Sequence, residues 1–367
     1  MTRMRIAMVI ATSGGGVGNH VRSLSAGLVT RGHRVAVIGP QATEERFGFT
    51  ANGCRFVPVD VGTRPRPAGD LAAIGRLRGL LADADMVHAH GIRAGGLCAL
   101  AQARPLVVTL HNAPPAVSGP LGLVFPALER LVARRADIVL GVSGDLVARM
   151  RAKGAREVER ALVTAPPMGP PQRTAEDVRA ELGVAPDRPL ALVVARLAPQ
   201  KGLDVLLDAA RRLKQRDPAP VFVVAGDGPL DRELNARIDA EELPVRLLGH
   251  RTDIPDLLAA ADLFVLPSLW EGPSLVIMEA LRAGLPVVAT RVGGIPDLYS
   301  GVALLVPPSD ASALAHGVAQ VLDEPSRVEA MRDAARLTAA ALPTEDDTVE
   351  QVLSLYRRLA ANRGMVA

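Results

Sequence analysis

Residues 263–298 read LFVLPSLWEGPSLVIMEALRAGLPVVATRVGGIPDL. A short aliphatic run, LFVLPS, ends in a turn. An apolar stretch with helical spacing follows from Ser274 to Arg282, and Gly284-Leu285-Pro286 stops it. A second β-branched run, PVVATRVG, then begins. Strand, helix, strand at this spacing is a βαβ unit, and apolar runs that hardly alternate belong to parallel strands covered on both faces.

The same unit recurs on both sides. Upstream are RIAMVIAT (5–12), RVAVIGP (34–40), RFVPVD (55–60), MVHAH (86–90), LVVTLH (106–111) and IVLGVS (138–143). APPMGPPQRT (165–174) packs four prolines into seven residues, which neither a helix nor a central strand tolerates, so it reads as a linker. The pattern restarts with LALVVARL (190–197), VFVVAGDG (221–228), VRLLGH (245–250) and the opening stretch, and ends with ALLVPP (303–308). An amphipathic helix, TVEQVLSLYRRLAA (348–361), closes the chain. The expected fold class is α/β: two doubly wound, Rossmann-like domains facing across a cleft, with ligands bound beyond the carboxyl ends of the strands. The expected domains are 1–168, 169–347 and a final helical segment 348–367.

At 367 residues the chain exceeds one ordinary core. Its two cysteines, Cys54 and Cys98, form no CxxC pair and read as reduced thiols of a cytosolic protein. The N-terminal apolar run is short and ends in glycines, which suits a first strand better than a secretory signal. No run is long enough to span a bilayer. Residues 1–170 carry 21 Lys+Arg against 11 Asp+Glu, and residues 171–367 carry 21 against 28, so a basic half precedes an acidic one. Scarce aromatics and only three lysines speak against nucleic-acid binding.

Four places carry chemistry. TSGGGVGNHV (12–21) follows the first strand, and Gly14, Gly15, Gly16 and Gly18 would let the backbone approach an anion at a helix N-terminus. A dinucleotide fingerprint fails here, because its third glycine position falls on Asn19. Arg196 ends a strand and Lys201 stands just before a helix, two cations suited to a diphosphate. His111 follows a strand and would point into the cleft. His88 and His90 share one face of theirs and read as satisfied polar groups, and no ligand spacing suggests a metal. Glu271 lies just outside the helix that Pro273 and Ser274 favour, and Glu279 lies about five residues inside it, roughly 7–8 Å along the axis. Two hydroxyl-accepting carboxylates flanking a helix N-terminus fit a polyol–phosphate–polyol ligand. Pro273 offers no N–H, so phosphate contacts would begin at Ser274 or Leu275.

In sequence these pieces resemble the retaining glycosyltransferases of family 4, which have the GT-B fold. The glycine loop, ARLAPQKGLDVLLDA, VVAGDGPL, the opening stretch and the final helix match in order. The resemblance implies a retaining, metal-independent hexosyltransferase that uses a UDP-, GDP- or ADP-sugar as donor and needs no other cofactor. It implies that Glu271 holds donor-sugar hydroxyls, that Glu279 holds the ribose, and that Arg196 and Lys201 hold the diphosphate. His111 would stand near the reaction centre, and Gly15 and Gly16 near the phosphates and acceptor. Gly249 is counted with the donor-binding residues. The final helix would cross back to the first domain. A nucleotide-sugar epimerase or a non-catalytic sugar-nucleotide binder on the same frame are the alternatives. The acceptor would be a cell-envelope glycolipid or glycan precursor, anionic or lipid-linked. It would be met at the inner face of a membrane by Arg64, Arg66, Arg76, Arg78, Arg130, Arg134 and Arg135.

Overall fold

The computed structural model describes residues 3–13, 15–113 and 123–364. Two compact units result: Met1–Pro166 with Pro343–Ala367, and Pro167–Leu342.

The first unit holds a parallel sheet of seven strands: β1 (Arg5–Ile10), β2 (Arg34–Gly39), β3 (Arg55–Pro58), β4 (Met86–His90), β5 (Leu106–Leu110), β6 (Ile138–Gly141) and β7 (Val158–Arg160). Their order is β3-β2-β1-β4-β5-β6-β7. The strands β4, β5 and β6 are buried along their whole length, which is why their sequences do not alternate. β7 has one apolar residue in three and gives no periodic signal; it is held at the edge by pairing Val139 with Val158.

The helix Glu345–Ala361 belongs to this unit. Thr344 and Asp347 form a capping box at its start. It lies so close to the helix Gly16–Thr30 that a Cβ on Gly27 would meet Val349 Cγ2 at 2.5 Å. Arg31 pairs with Asp346 at 3.0 Å and Glu350 at 2.9 Å. Gln351 takes up the free edge groups of β7 and its exit: it accepts from Leu162 N (2.7 Å) and donates to Arg160 O (2.8 Å).

The second unit holds six parallel strands: β8 (Leu190–Val194), β9 (Val221–Ala225), β10 (Val245–Leu247), β11 (Leu263–Leu266), β12 (Val287–Thr290) and β13 (Leu304–Val306). Their order is β10-β9-β8-β11-β12-β13. Chain order reverses between β8 and β11, the switch point at which open α/β sheets bind ligands. One face of the sheet packs Val193, Phe222, Val224 and Val265 against Leu206, Leu207 and Ala210 of the helix Leu203–Leu213, a single aliphatic core.

Candidate functional site

At the carboxyl end of β8 the chain runs through Arg196 into a 3-10 turn, Pro199–Lys201, and Gly202 (φ 62°) starts the next helix. A side chain on Gly202 would strike Pro267 O at 2.2 Å, so this glycine lets the β8 and β11 loops touch. Leu269 N donates to Gln200 O, and Gln200 Nε2 to Trp270 O, both at 2.8 Å, fastening the loops together.

That fastening brings Lys201 to Glu271. Lys201 Nζ lies 2.5 Å from Glu271 Oε1, although the two are seventy positions apart. Glu271 is buried. Ser268 Oγ donates to the same oxygen at 2.7 Å, and Thr290 Oγ1 holds Ser268 through its carbonyl. From the other side, Gly294 N donates to Glu271 O at 3.0 Å, and Gly293 (φ 51°) comes so near that a Cβ would sit 1.9 Å from that oxygen. The buried carboxylate is therefore fixed by a cation and a hydroxyl, and the backbone carbonyl of the same residue by a glycine turn. Sequence reasoning missed Ser268 and Thr290; a hydroxyl three positions before a glutamate at a strand end was the available signal.

The helix after Glu271 is Leu275–Arg282. The expected serine cap is corrected: Ser274 adopts φ 48°, ψ 84°, a left-handed backbone in place of the extended one a capping residue uses, and makes no capping bond. Ser274 Oγ is buried with no partner, so an orphan hydroxyl stands at the helix N-terminus, beside the amides of Leu275 and Val276; Ile277 N already donates to Ser274 O at 3.1 Å. Glu279, one turn in, is partly buried; burial pushes its carboxyl up to about 7, with Arg282 pulling it back.

Arg196 is exposed and has no ion-pair partner among the described residues. Its loop is shaped by the Gly-Asp-Gly turn: a Cβ on Gly226 would meet Ala195 O at 2.0 Å, and one on Gly228 would meet Leu197 O at 2.3 Å. Gly226 bridges Gly249, whose φ is 68° and whose Cβ position is open. Arg196, Lys201, Glu271, Ser274, Leu275 and Gly249 thus lie at loops or helix starts of the second unit, beyond the carboxyl ends of its strands, and Glu279 one turn inside the helix Leu275–Arg282.

The first unit carries the other candidates. Gly15 precedes the helix Gly16–Thr30, and a Cβ there would meet nothing. Gly14 lies outside the described residues. Gly18 is corrected from an anion-approach glycine to a packing one, since a Cβ would run into the Phe47 ring at 2.2 Å. His111 is buried and its Nε2 lies 3.1 Å from His90 Nδ1. His88 is satisfied at both nitrogens, by Tyr356 OH and Thr109 Oγ1 at 2.7 Å each. His90 corrects the expectation for the pair, because its buried Nε2 has no partner.

A pocket of about 490 Å3 opens beside Thr12, Asp60, Thr63, Arg64 and Arg66. Its loop is tied by buried Arg93, which donates to Gly62 O (3.2 Å) and Arg64 O (3.4 Å) and pairs with Asp70 (2.5 Å). Arg64, Arg66, Arg76, Arg78, Arg130, Arg134 and Arg135 are exposed. Among the described residues, no helix is long and apolar enough to cross a membrane.

Comparison with known proteins adds to this geometry. The family described as "Glycosyl transferases group 1" matches residues 174–338, and "Glycosyl transferase 4-like domain" matches residues 15–167. A D-inositol 3-phosphate glycosyltransferase 1 of Catenulispora acidiphila is 31% identical over 82% of this chain and 78% of that protein. The TuaC protein of Bacillus subtilis, described as a teichuronic acid biosynthesis glycosyltransferase, is 35% identical over 64% of this chain and 60% of its own length. Among solved structures, Anabaena Alr3699/HepE in complex with UDP and glucose has the same fold, with a TM-score of 0.81, 22% identity, and coverage of 97% of this chain and 100% of that one.

Proposed function

This chain belongs to the group 1 glycosyltransferases of the GT-B fold, and we propose that it moves a hexose from a nucleoside-diphosphate sugar to an acceptor hydroxyl with retention of configuration. The observation that carries the reading is the Lys201–Glu271 pair beside the orphan Ser274 hydroxyl. A cation, a free helix N-terminus and an unpartnered hydroxyl suit a diphosphate, and carboxylates on either side suit hydroxyls.

In this reading Glu279 accepts from the ribose and Glu271 from the donor sugar. Arg196, Lys201 and the amides from Leu275 onward hold the diphosphate. The bond from the anomeric carbon to the diphosphate oxygen breaks as the bond to the acceptor oxygen forms on the same face. The acceptor proton passes to the leaving diphosphate. Charge that develops on that leaving group meets Arg196, Lys201 and the helix N-terminus, which do electrostatically what a metal ion does in other transferases. No carboxylate nucleophile is required, unlike in a retaining hydrolase. UDP bound to a solved protein of the same fold supports a nucleotide donor.

For the acceptor, we read the exposed arginines and the pocket at Arg64 and Arg66 as the site of an anionic group on a cell-envelope glycan or glycolipid precursor. One relative is named for D-inositol 3-phosphate and another for teichuronic acid, both acidic compounds. The experiment is to screen nucleotide sugars with acidic and neutral acceptors and read the product's anomeric configuration by NMR. Retention with an acidic acceptor supports the reading. Inversion overturns the mechanism, and equal use of neutral acceptors overturns the acceptor class.

A further inference from the structure

We propose that His20, His90 and His111 form a binding site for a transition-metal ion of the zinc type within the first unit. The three rings come from three different elements: the helix Gly16–Thr30, the end of β4, and the residue after β5. All three are buried, at 7%, 1% and 8% exposure. Their centroids form a nearly equilateral triangle, with sides of 5.1 Å (His20–His111), 5.4 Å (His90–His111) and 5.7 Å (His20–His90). Imidazoles bound to one tetrahedral ion at a metal–nitrogen distance of about 2.1 Å have centroids roughly 5 Å apart. One donor atom of each ring lies within 4.8 Å of the others. His90 Nδ1 and His111 Nε2 are 3.1 Å apart, close to the roughly 3.3 Å between two nitrogens on such an ion.

The chemistry of the rings agrees with the geometry. All three rings are shut away from water, and a neutral imidazole carries one lone pair with which to bind a metal ion. His88 stacks on His90 at 4.3 Å while its own nitrogens stay engaged by Tyr356 and Thr109, so it orients the neighbouring ring without entering the donor set. Three imidazoles and no oxygen ligand select zinc, copper or nickel over magnesium or calcium. Three protein ligands leave a fourth position for water. The proton shared by His90 and His111 moves to the outer nitrogen of its ring when both inner nitrogens bind the ion.

The test needs no transfer assay and stands apart from the donor reading. The full chain, stripped with EDTA and dialysed, is titrated with Co2+ and followed by visible absorption, then with Zn2+ to displace it. One equivalent of Co2+ giving four-coordinate bands, displaced by Zn2+, is expected. His20→Ala and His90→Ala should weaken binding at least tenfold, while His316→Gln and His250→Gln, at exposed positions, should leave it unchanged. Should the core variants fail to fold, NMR of the imidazole nitrogens in the unaltered protein decides: Zn2+ should shift three of the seven histidines. Absence of a stoichiometric Co2+ spectrum, binding that survives His20→Ala, or zinc-induced shifts at the exposed histidines instead would overturn the site.

Discussion

Lys201 Nζ lies 2.5 Å from Glu271 Oε1, so the two proposed donor-site charges neutralise each other. The pair is only partly exposed, and the ammonium offsets part of the cost of the buried carboxylate. A bound donor diphosphate would compete for the ammonium and release the carboxylate toward sugar hydroxyls. Lys201→Ala should therefore lower kcat by about 10²–10³, the usual loss when one preorganised charge is removed from a leaving group. Steady-state kinetics check this. An unchanged kcat would remove Lys201 from the diphosphate.

Glu279 gives the donor site a pH dependence. Its carboxyl is pushed up to about 7 by burial, and a ribose donating to it favours the ionised form. Nucleoside diphosphate affinity should rise between pH 6 and 8, and Glu279→Gln should flatten that rise; calorimetric titration at several pH values reads it. Without ligand the sign for folding is opposite. A folded value above the unfolded one means stability present below about pH 4.5 and lost as pH rises through about 7.

Gly293 should tolerate no side chain. Its φ of 51° and the 1.9 Å approach of a Cβ to Glu271 O leave neither conformational nor steric room. Gly293→Ala should destabilise the chain by about 2 kcal/mol or more, as measured by chemical unfolding. It should weaken donor binding as well, since the displaced carbonyl belongs to Glu271. Gly249→Ala, with open space at Cβ, should cost less than Gly293→Ala.

The buried histidines predict acid sensitivity. His20 is held down to about 4 and His88 to about 3, both by burial. Folded values below the unfolded one give stability that is full above about pH 6.5 and lost as pH falls through the folded values. The slope is about 1.4 kcal/mol per pH unit for each histidine. Calorimetry should show the melting temperature falling from pH 6.5 to 5, less steeply in His20→Asn.

Most of the strand and helix order was legible because parallel strands buried on both faces leave unbroken aliphatic runs such as IAMVI and VFVVA. β7 was not, since a three-residue edge strand with one apolar side chain leaves no period. The glutamate pair and the Arg196–Lys201 loop were legible as chemistry at strand ends. What holds them was not: Ser268, Thr290 and Gly293 act through contacts across the sheet that no local spacing encodes. The histidine cluster was hidden for the same reason. His20, His90 and His111 are spread over ninety-one positions and meet only because β1, β4 and β5 are neighbours.

The most direct measurement is calorimetric titration of UDP, GDP and ADP, in EDTA, into the unaltered chain and into Glu279→Ala. One of the three should bind at a single site without metal, and Glu279→Ala should weaken it at least tenfold. Failure of all three to bind, or equal binding by Glu279→Ala, would contradict the donor site.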